Sequence, residues 1–326
     1  MIVGEELQRW ARDRDAQRRT RAGVDAFAGA WNRGPVHGRF DAVMAGLADR
    51  DADSVAAAVA ILFADDAWVD ALIGGLADAM RRDCYFEPPF RHLNSDIHSG
   101  LLAFEDDSVS IGAGVSRAGQ LAARKSGARG GLSVSFSGQL TLFKFVKAGG
   151  ARLSLWEAPP ITASFTAANA GRCARTGARA IADGEILIVD GRHQSFVIEH
   201  AASNLVILQA TVKPDRAPLS VEYDAATGAY VGCSAADDSA SRIQMIATLL
   251  RKFGHDAAFP AIAAFLDHAN FFVRWHVMRE LLGLDAAAAL PHLRRMAARD
   301  PHPETRAAAR SVLDRVERAV VDRKAA

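Results

Sequence analysis

Residues 132–159 read LSVSFSGQLTLFKFVKAGGARLSLWEAP. Leu132, Val134 and Phe136 alternate with Ser133, Ser135 and Ser137, and a period of two places the apolar set on one face of a pleated strand. QLTLFKFVK and ARLSLWEAP are two further strand-like runs around Gly149-Gly150, a pair suited to a hairpin turn because both central residues of such a turn take positive φ. The pattern recurs in EILIVDGRHQSFVIEH (185–200), read as two strands around Asp190-Gly191, and in LSVEYDAATGAYVGC (219–233), read as two around a turn ending at Gly228. About ten short strands are expected between 101 and 234 with no long helix among them, which predicts an antiparallel sandwich or barrel.

Outside this region the period lengthens. In the N-terminal part Phe40, Val43, Met44 and Leu47 recur at i, i+3, i+4, i+7, and Trp68, Leu72, Leu76 and Met80 form a second stripe, within an alanine-rich background that favours helix. Pro88 and Pro89 close this helical segment. Helix returns after residue 237: Asp238 and Ser239 are expected to cap ASRIQMIATLLRKFG, with Ile243, Ile246, Ala247 and Leu250 inward and Gly254 as its stop.

Composition excludes several classes. The chain of 326 residues is half apolar and about a quarter charged, with a net charge of +1, so no general attraction to nucleic acid or membrane is expected. The opening MIVGEELQRWARDRD lacks an apolar leader core, and no apolar run is long enough to span a bilayer, which predicts a cytoplasmic protein. Cys84, Cys173 and Cys233 are odd in number and form no CxxC pair, so they are expected reduced and partly buried. One basic stretch, Arg9 to Arg21, carries Asp13 and Asp15 among its arginines and is read as a solvated helix rather than a nucleic-acid arm.

The C-terminal part repeats. FPAIAAFLDHANFFVRWHVMRELL (259–282) laid over LPHLRRMAARDPHPETRAAARSVL (290–313) matches Pro260 with Pro291, Ile262 with Leu293 and Phe265 with Met296. After one extra residue in the second copy, Val273 matches Thr305, Arg274 matches Arg306, Val277 matches Ala309 and Leu281 matches Leu313. A helical period in this range signals a solenoid. DPHPETRAAARSVL resembles the second half of a short HEAT-type repeat, over about residues 255–320, with Thr305 in place of the usual aliphatic residue. That resemblance implies a protein-binding scaffold. The alternative is a helical cap on the β-region, since two repeats need support from the helix at 239–253, the N-terminal helices or a second subunit.

Two histidine groups are candidate metal positions. His92, Asp96 and His98 lie in RHLNSDIHSG, which reads either as an irregular metal loop or as a turn with solvent-facing histidines. Gly184, Glu185, Gly191 and His193 follow the order of the second conserved motif of cupins, to which this segment is weakly similar. Asp190 stands one position before Gly191 where the family has proline two before, the spacing is one residue short, and no His-x-His with a following Glu precedes it. His200, on the face of Phe196 and Ile198, is read as a buried histidine or a fifth ligand. No nucleophile elbow, phosphate loop or dinucleotide fingerprint is present, GAGVSRAG at 112–119 lacking the required spacing.

The expected architecture is an α+β multidomain chain: an N-terminal helical segment (1–87), a jelly-roll or cupin-like antiparallel β-sandwich (88–236) and HEAT-like helices (237–326). The leading expectation is a non-catalytic scaffold without cofactor, contacting a protein partner through Trp275, Arg279 and Arg310, with homo-oligomerisation as one way of covering the repeats. Trp275 is equally compatible with core packing. The competing expectation is an enzyme using a divalent metal at His92, Asp96, His98, His193 and His200.

Overall fold

The computed structural model describes residues 4–65, 67–95, 97–127 and 132–325. Contacts divide the chain into two compact units, one of residues 1–158, 173–216 and 224–228, the other of residues 159–172, 217–223 and 229–326.

The first unit opens with five helices: α1 (Glu5–Arg12), α2 (Arg14–Asn32), α3 (Pro35–Ala45), α4 (Ala52–Ala64) and α5 (Ala67–Arg82). Asp13 separates α1 from α2 and accepts hydrogen bonds from the Asp15 and Ala16 amides, both at 2.9 Å. Asp15 pairs with Arg18 and Asp25 with Arg21, so acids are interleaved with the basic stretch. Phe40, Met44, Trp68, Leu72 and Leu76 are buried as expected, but Met80 is exposed and Ala79 takes its place. Twelve residues of helix accumulate about 120° of drift, which carries Met80 off the stripe that Trp68 begins.

The strands of this unit are β1 (His92–Asn94), β2 (His98–Glu105), β3 (Val109–Ser116), β4 (Ser133–Phe136), β5 (Leu140–Lys147), β6 (Arg152–Glu157), β7 (Ala174–Ala180), β8 (Ile186–Asp190), β9 (Gln194–His200) and β10 (Leu205–Val212), with helix α6 (Ala118–Gly127) after β3. A six-stranded sheet runs β1-β2-β3-β10-β5-β8 and a three-stranded sheet runs β7-β6-β9, with antiparallel ladders. Leu140, Leu142 and Val146 of β5 pack into the core shared with α3, α4 and α5. Phe143 and Phe145 face the opposite way, into the core containing Leu153 and Phe196. A strand covered on both faces needs no polar alternation, hence its nearly continuous apolar sequence. Its one inward cation, Lys144, donates to the Phe63 carbonyl at 2.6 Å near the C-terminus of α4, where helix polarity favours positive charge.

The strands around Gly149-Gly150 and Asp190-Gly191 form where expected, but neither pair is a hairpin ladder. β5 lies between β10 and β8, whereas β6 lies between β7 and β9 in the other sheet; β8 and β9 are divided in the same way. Gly149 and Gly150 do take φ of 62° and 66°, and the turn is closed by a 3.0 Å bond from Ala151 N to the Ala148 carbonyl. The strands then part to different sheets. A Cβ on Gly149 would fall 2.4 Å from the Ser203 carbonyl oxygen, and one on Gly191 2.1 Å from Ser137 Oγ, so both corners require glycine.

The second unit contains β11 (Leu219–Asp224), apart from its last residue, and β12 (Tyr230–Ala235), which do form the expected hairpin ladder. The helices α7 (Asp238–Lys252), α8 (Phe259–Ala263), α9 (Phe271–Leu284), α10 (Ala286–Arg299) and α11 (Pro303–Ala325) follow, with a 3₁₀ turn at 264–267 extending α8. Asp237 caps α7, accepting from Ser239 N at 2.9 Å, one residue before the expected cap. Gly254, at φ 62°, ends it. Ile262, Val273, Val277, Leu281, Leu293, Met296 and Ala309 of the aligned pairs lie in the core of this unit, whereas Phe265, matched with Met296, is exposed and its neighbour Leu266 takes the inward place.

Candidate functional site

The repeat arginines are structural anchors. The Arg274 guanidinium donates through Nη1 to the His268 and Ala269 carbonyls at 2.8 Å, and Arg306 reaches the carbonyls of Asp300 and Pro301 in the same way. In both copies the arginine closes the turn that precedes its own helix. Arg274 also forms a two-pronged bond to the Asp300 carboxylate, Nε to Oδ2 and Nη2 to Oδ1 at 2.8 Å each, which joins the first repeat to the turn of the second. Burial raises the Asp300 pKa, but the bonds from Arg274 and from the His302 amide outweigh it and hold the carboxyl below its ordinary value. His302 stacks on Phe271 with ring centroids 3.7 Å apart, and its Nε2 lies 3.1 Å from the Phe165 carbonyl, which that nitrogen can only satisfy as the donor.

A second polar cluster joins α7 to α9. Thr248 Oγ1 lies 2.9 Å from His276 Nε2 and donates to Glu280 Oε1 at 3.1 Å, while Arg251 pairs with the other Glu280 oxygen. Gly283 lies against this seam: a Cβ there would fall 2.5 Å from Arg251 Cδ. Ala240, Ala247, Ile243 and Leu250 complete the inward face of α7. Its opposite face is apolar too, with Met245 58% exposed, Ile246 52%, Leu249 43% and Phe253, just past the helix end, 79%. Ile246, expected inside, is therefore outside. At 100° per residue these four side chains fall within a single arc of about 100°. They are four of the twelve exposed large apolar side chains among the described residues.

The three residues expected to contact a partner have different surroundings. Arg279 on α9 is exposed. Trp275 is half-buried and packs against the core of the unit, between the two readings its sequence position allowed. Arg310 is exposed, but its Nε donates to the Ala297 carbonyl at 3.0 Å, which fastens α11 to α10.

The candidate metal positions are spread through the first unit. His92 and His98 lie on the β1–β2 hairpin, where His92 is opposite Leu101 and Asn94 opposite Ser99; strand alternation therefore puts His92 and His98 on opposite faces. His92 is exposed, 4.0 Å from Glu87. The His98 ring lies over Gly114, whose Cβ would fall 2.5 Å from it, and its Nδ1 is 3.2 Å from Ser116 Oγ; burial lowers its pKa. Gly112 and Gly114 of GAGVSRAG thus make room for Leu93 and His98 of the neighbouring hairpin. Asp96 lies outside the described residues. His193 sits in the β8–β9 turn, 3.5 Å from Asp190, a carboxylate also held by Arg192 at 2.7 and 2.8 Å. His200 ends β9 and is exposed rather than buried, because a bulge shifts the β6–β9 register between Ile198 and His200. The seven residues of β9 put His193 and His200 roughly 23 Å apart. Glu185, in the cupin-like order, pairs with Arg179 and accepts from Ala182 N at 3.0 Å. Among the described residues, no three His, Cys, Asp or Glu side chains are grouped so as to hold a metal ion, and no helix is long and apolar enough to cross a membrane.

The chain matches the HEAT repeats family over residues 233–314, a span that takes in α7 as well as both helical pairs. No curated protein matches it in sequence. Among solved structures it is similar to a cupin domain from Bordetella pertussis Tohama I, at 10% identity over 37% of this chain and 98% of that one, with a TM-score of 0.22. An ectoine synthase from P. lautus matches at 8% identity over 38% of this chain and 69% of that one, TM-score 0.18. An oxalate decarboxylase from Lactobacillus farciminis matches at 9% identity over 42% and 33%, TM-score 0.24. Likeness of this degree assigns no activity.

Proposed function

We propose that this chain is a protein-binding scaffold whose HEAT-type helices present a docking face centred on α7. The observation that carries this reading is the outward stripe of Met245, Ile246, Leu249 and Phe253. Full burial of a side chain of this size is worth about 1.5–3 kcal/mol, and roughly half of that area is still exposed, so a partner recovers on the order of 1 kcal/mol per residue by covering it. A solenoid end facing solvent is ordinarily polar. Arg279, exposed on α9, and the uncovered part of Trp275 are assigned to the same partner-facing role, while Arg310 contributes less because its guanidinium is already engaged.

The test compares the full chain with Leu249→Glu/Phe253→Glu as bait in extracts of the native host, alongside thermal melts of both. The expected result is a set of proteins retained by the wild type and lost from a variant that melts at the same temperature. Identical retained proteins on both baits would overturn the reading.

A further inference from the structure

We infer that the segment docking on α7 is an amphipathic helix whose apolar face is flanked by acidic residues. This rests on the scaffold reading above and adds the chemistry of the partner. From Ser239 to Phe253 the exposed positions of α7 are Ser239, Ser241, Arg242, Met245, Ile246, Leu249, Lys252 and Phe253. Within this stretch the exposed charges are the two cations and there is no Asp or Glu; the acids Asp237 and Asp238 precede it at the helix start. Arg251, the third cation, is turned inward to Glu280. Arg242 stands one turn before Met245 and Ile246, and Lys252 flanks Leu249 and Phe253, so the apolar stripe has a positive charge near each end.

Ten residues of helix separate these two charges by about 15 Å. A helix lying along α7 in either direction matches them with Asp or Glu about ten or eleven residues apart, bracketing apolar residues at i, i+3, i+4 and i+7. Such a pair of rim contacts fixes register, while the stripe supplies most of the binding. An extended or basic segment would leave the stripe half-covered or bring like charges together. An anionic membrane offers the same charge without the fixed spacing, and the test separates the two.

The probe is a phage-displayed library of single amphipathic helices, randomised at the stripe and at both flanks, panned on the full chain with counter-selection on Leu249→Glu/Phe253→Glu. The expected winners carry acids at both flanks, and a synthetic winner loses about tenfold in affinity on Arg242→Glu/Lys252→Glu as like charges meet. Winners with basic or neutral flanks would overturn this inference and leave the docking face standing. No enrichment over the counter-selected variant would count against the docking face itself. Co-sedimentation with vesicles of equal parts phosphatidylserine and phosphatidylcholine, lost in Leu249→Glu/Phe253→Glu while no helix is enriched, would reassign the face to a membrane. Unchanged circular dichroism melts for both double variants are the check that each remains folded.

Discussion

A guanidinium withdrawn from water must find a carboxylate or carbonyl oxygens, and Arg274, 5% exposed, has both. Removing it leaves Asp300 charged and buried, so Arg274→Ala is expected to cost about 3–5 kcal/mol in urea unfolding at neutral pH. A loss below about 1 kcal/mol would mean that Asp300 relaxes to water. The acid limb follows from the lowered Asp300 pKa. The unfolded chain takes up this proton first, so the stabilisation is complete above the ordinary Asp value of about 4 and is lost as pH falls through the lower folded value. Asp300→Asn should therefore be less stable at neutral pH and show a flatter stability curve below pH about 4, measured by urea melts across that range. The repeat alignment already pairs Arg274 with Arg306. What the sequence does not display is the carboxylate 26 residues further on that Arg274 reaches, because that contact depends on how one helical pair stacks on the next.

Among the elements, α7 and α9 make the sharpest contrast. Leu281 is fully buried and Leu249 is 43% exposed, although both sit on apolar stripes of neighbouring helices. Leu281→Ala is expected to cost about 2–5 kcal/mol, whereas Leu249→Ala should cost about 1 kcal/mol or less. Chemical denaturation of the two single variants checks this, and equal losses would mean that the α7 stripe is covered in solution. The α9 stripe was legible because its match to α11 selects the inward residues. On α7 apolar residues occur on both faces, so periodicity alone admits Ile246 as readily as Ile243. Hydrogen bonds from Thr248 and Arg251 to Glu280 decide which face turns inward.

Across the whole molecule, Cys84 and Cys233 are exposed and Cys173 is buried, with burial raising the pKa of its thiol. Titration of the native protein with a chromogenic disulfide reagent should show two fast thiols, and a third only on unfolding, because the thiolate is the reacting species; three fast thiols would contradict the packing around Cys173. At this scale the sequence by itself determined the kinds of element and their order: helices, then antiparallel strands, then the repeat pairs matched to HEAT repeats, each written in a local apolar period. Its turns were legible too, since Gly149, Gly150 and Gly228 take the positive φ that only glycine adopts without strain. Only the tertiary structure decided which strand each strand pairs with, sending β5 and β6 to different sheets across a turn that could equally have closed a hairpin. It also decided that no three possible metal ligands come together among the described residues, and that α7 keeps an apolar face outward. The physical reason is common to all three: periodicity and turn chemistry act within a few residues, whereas ladder partners, bulges and the choice between two apolar faces are set by contacts between segments far apart in the chain.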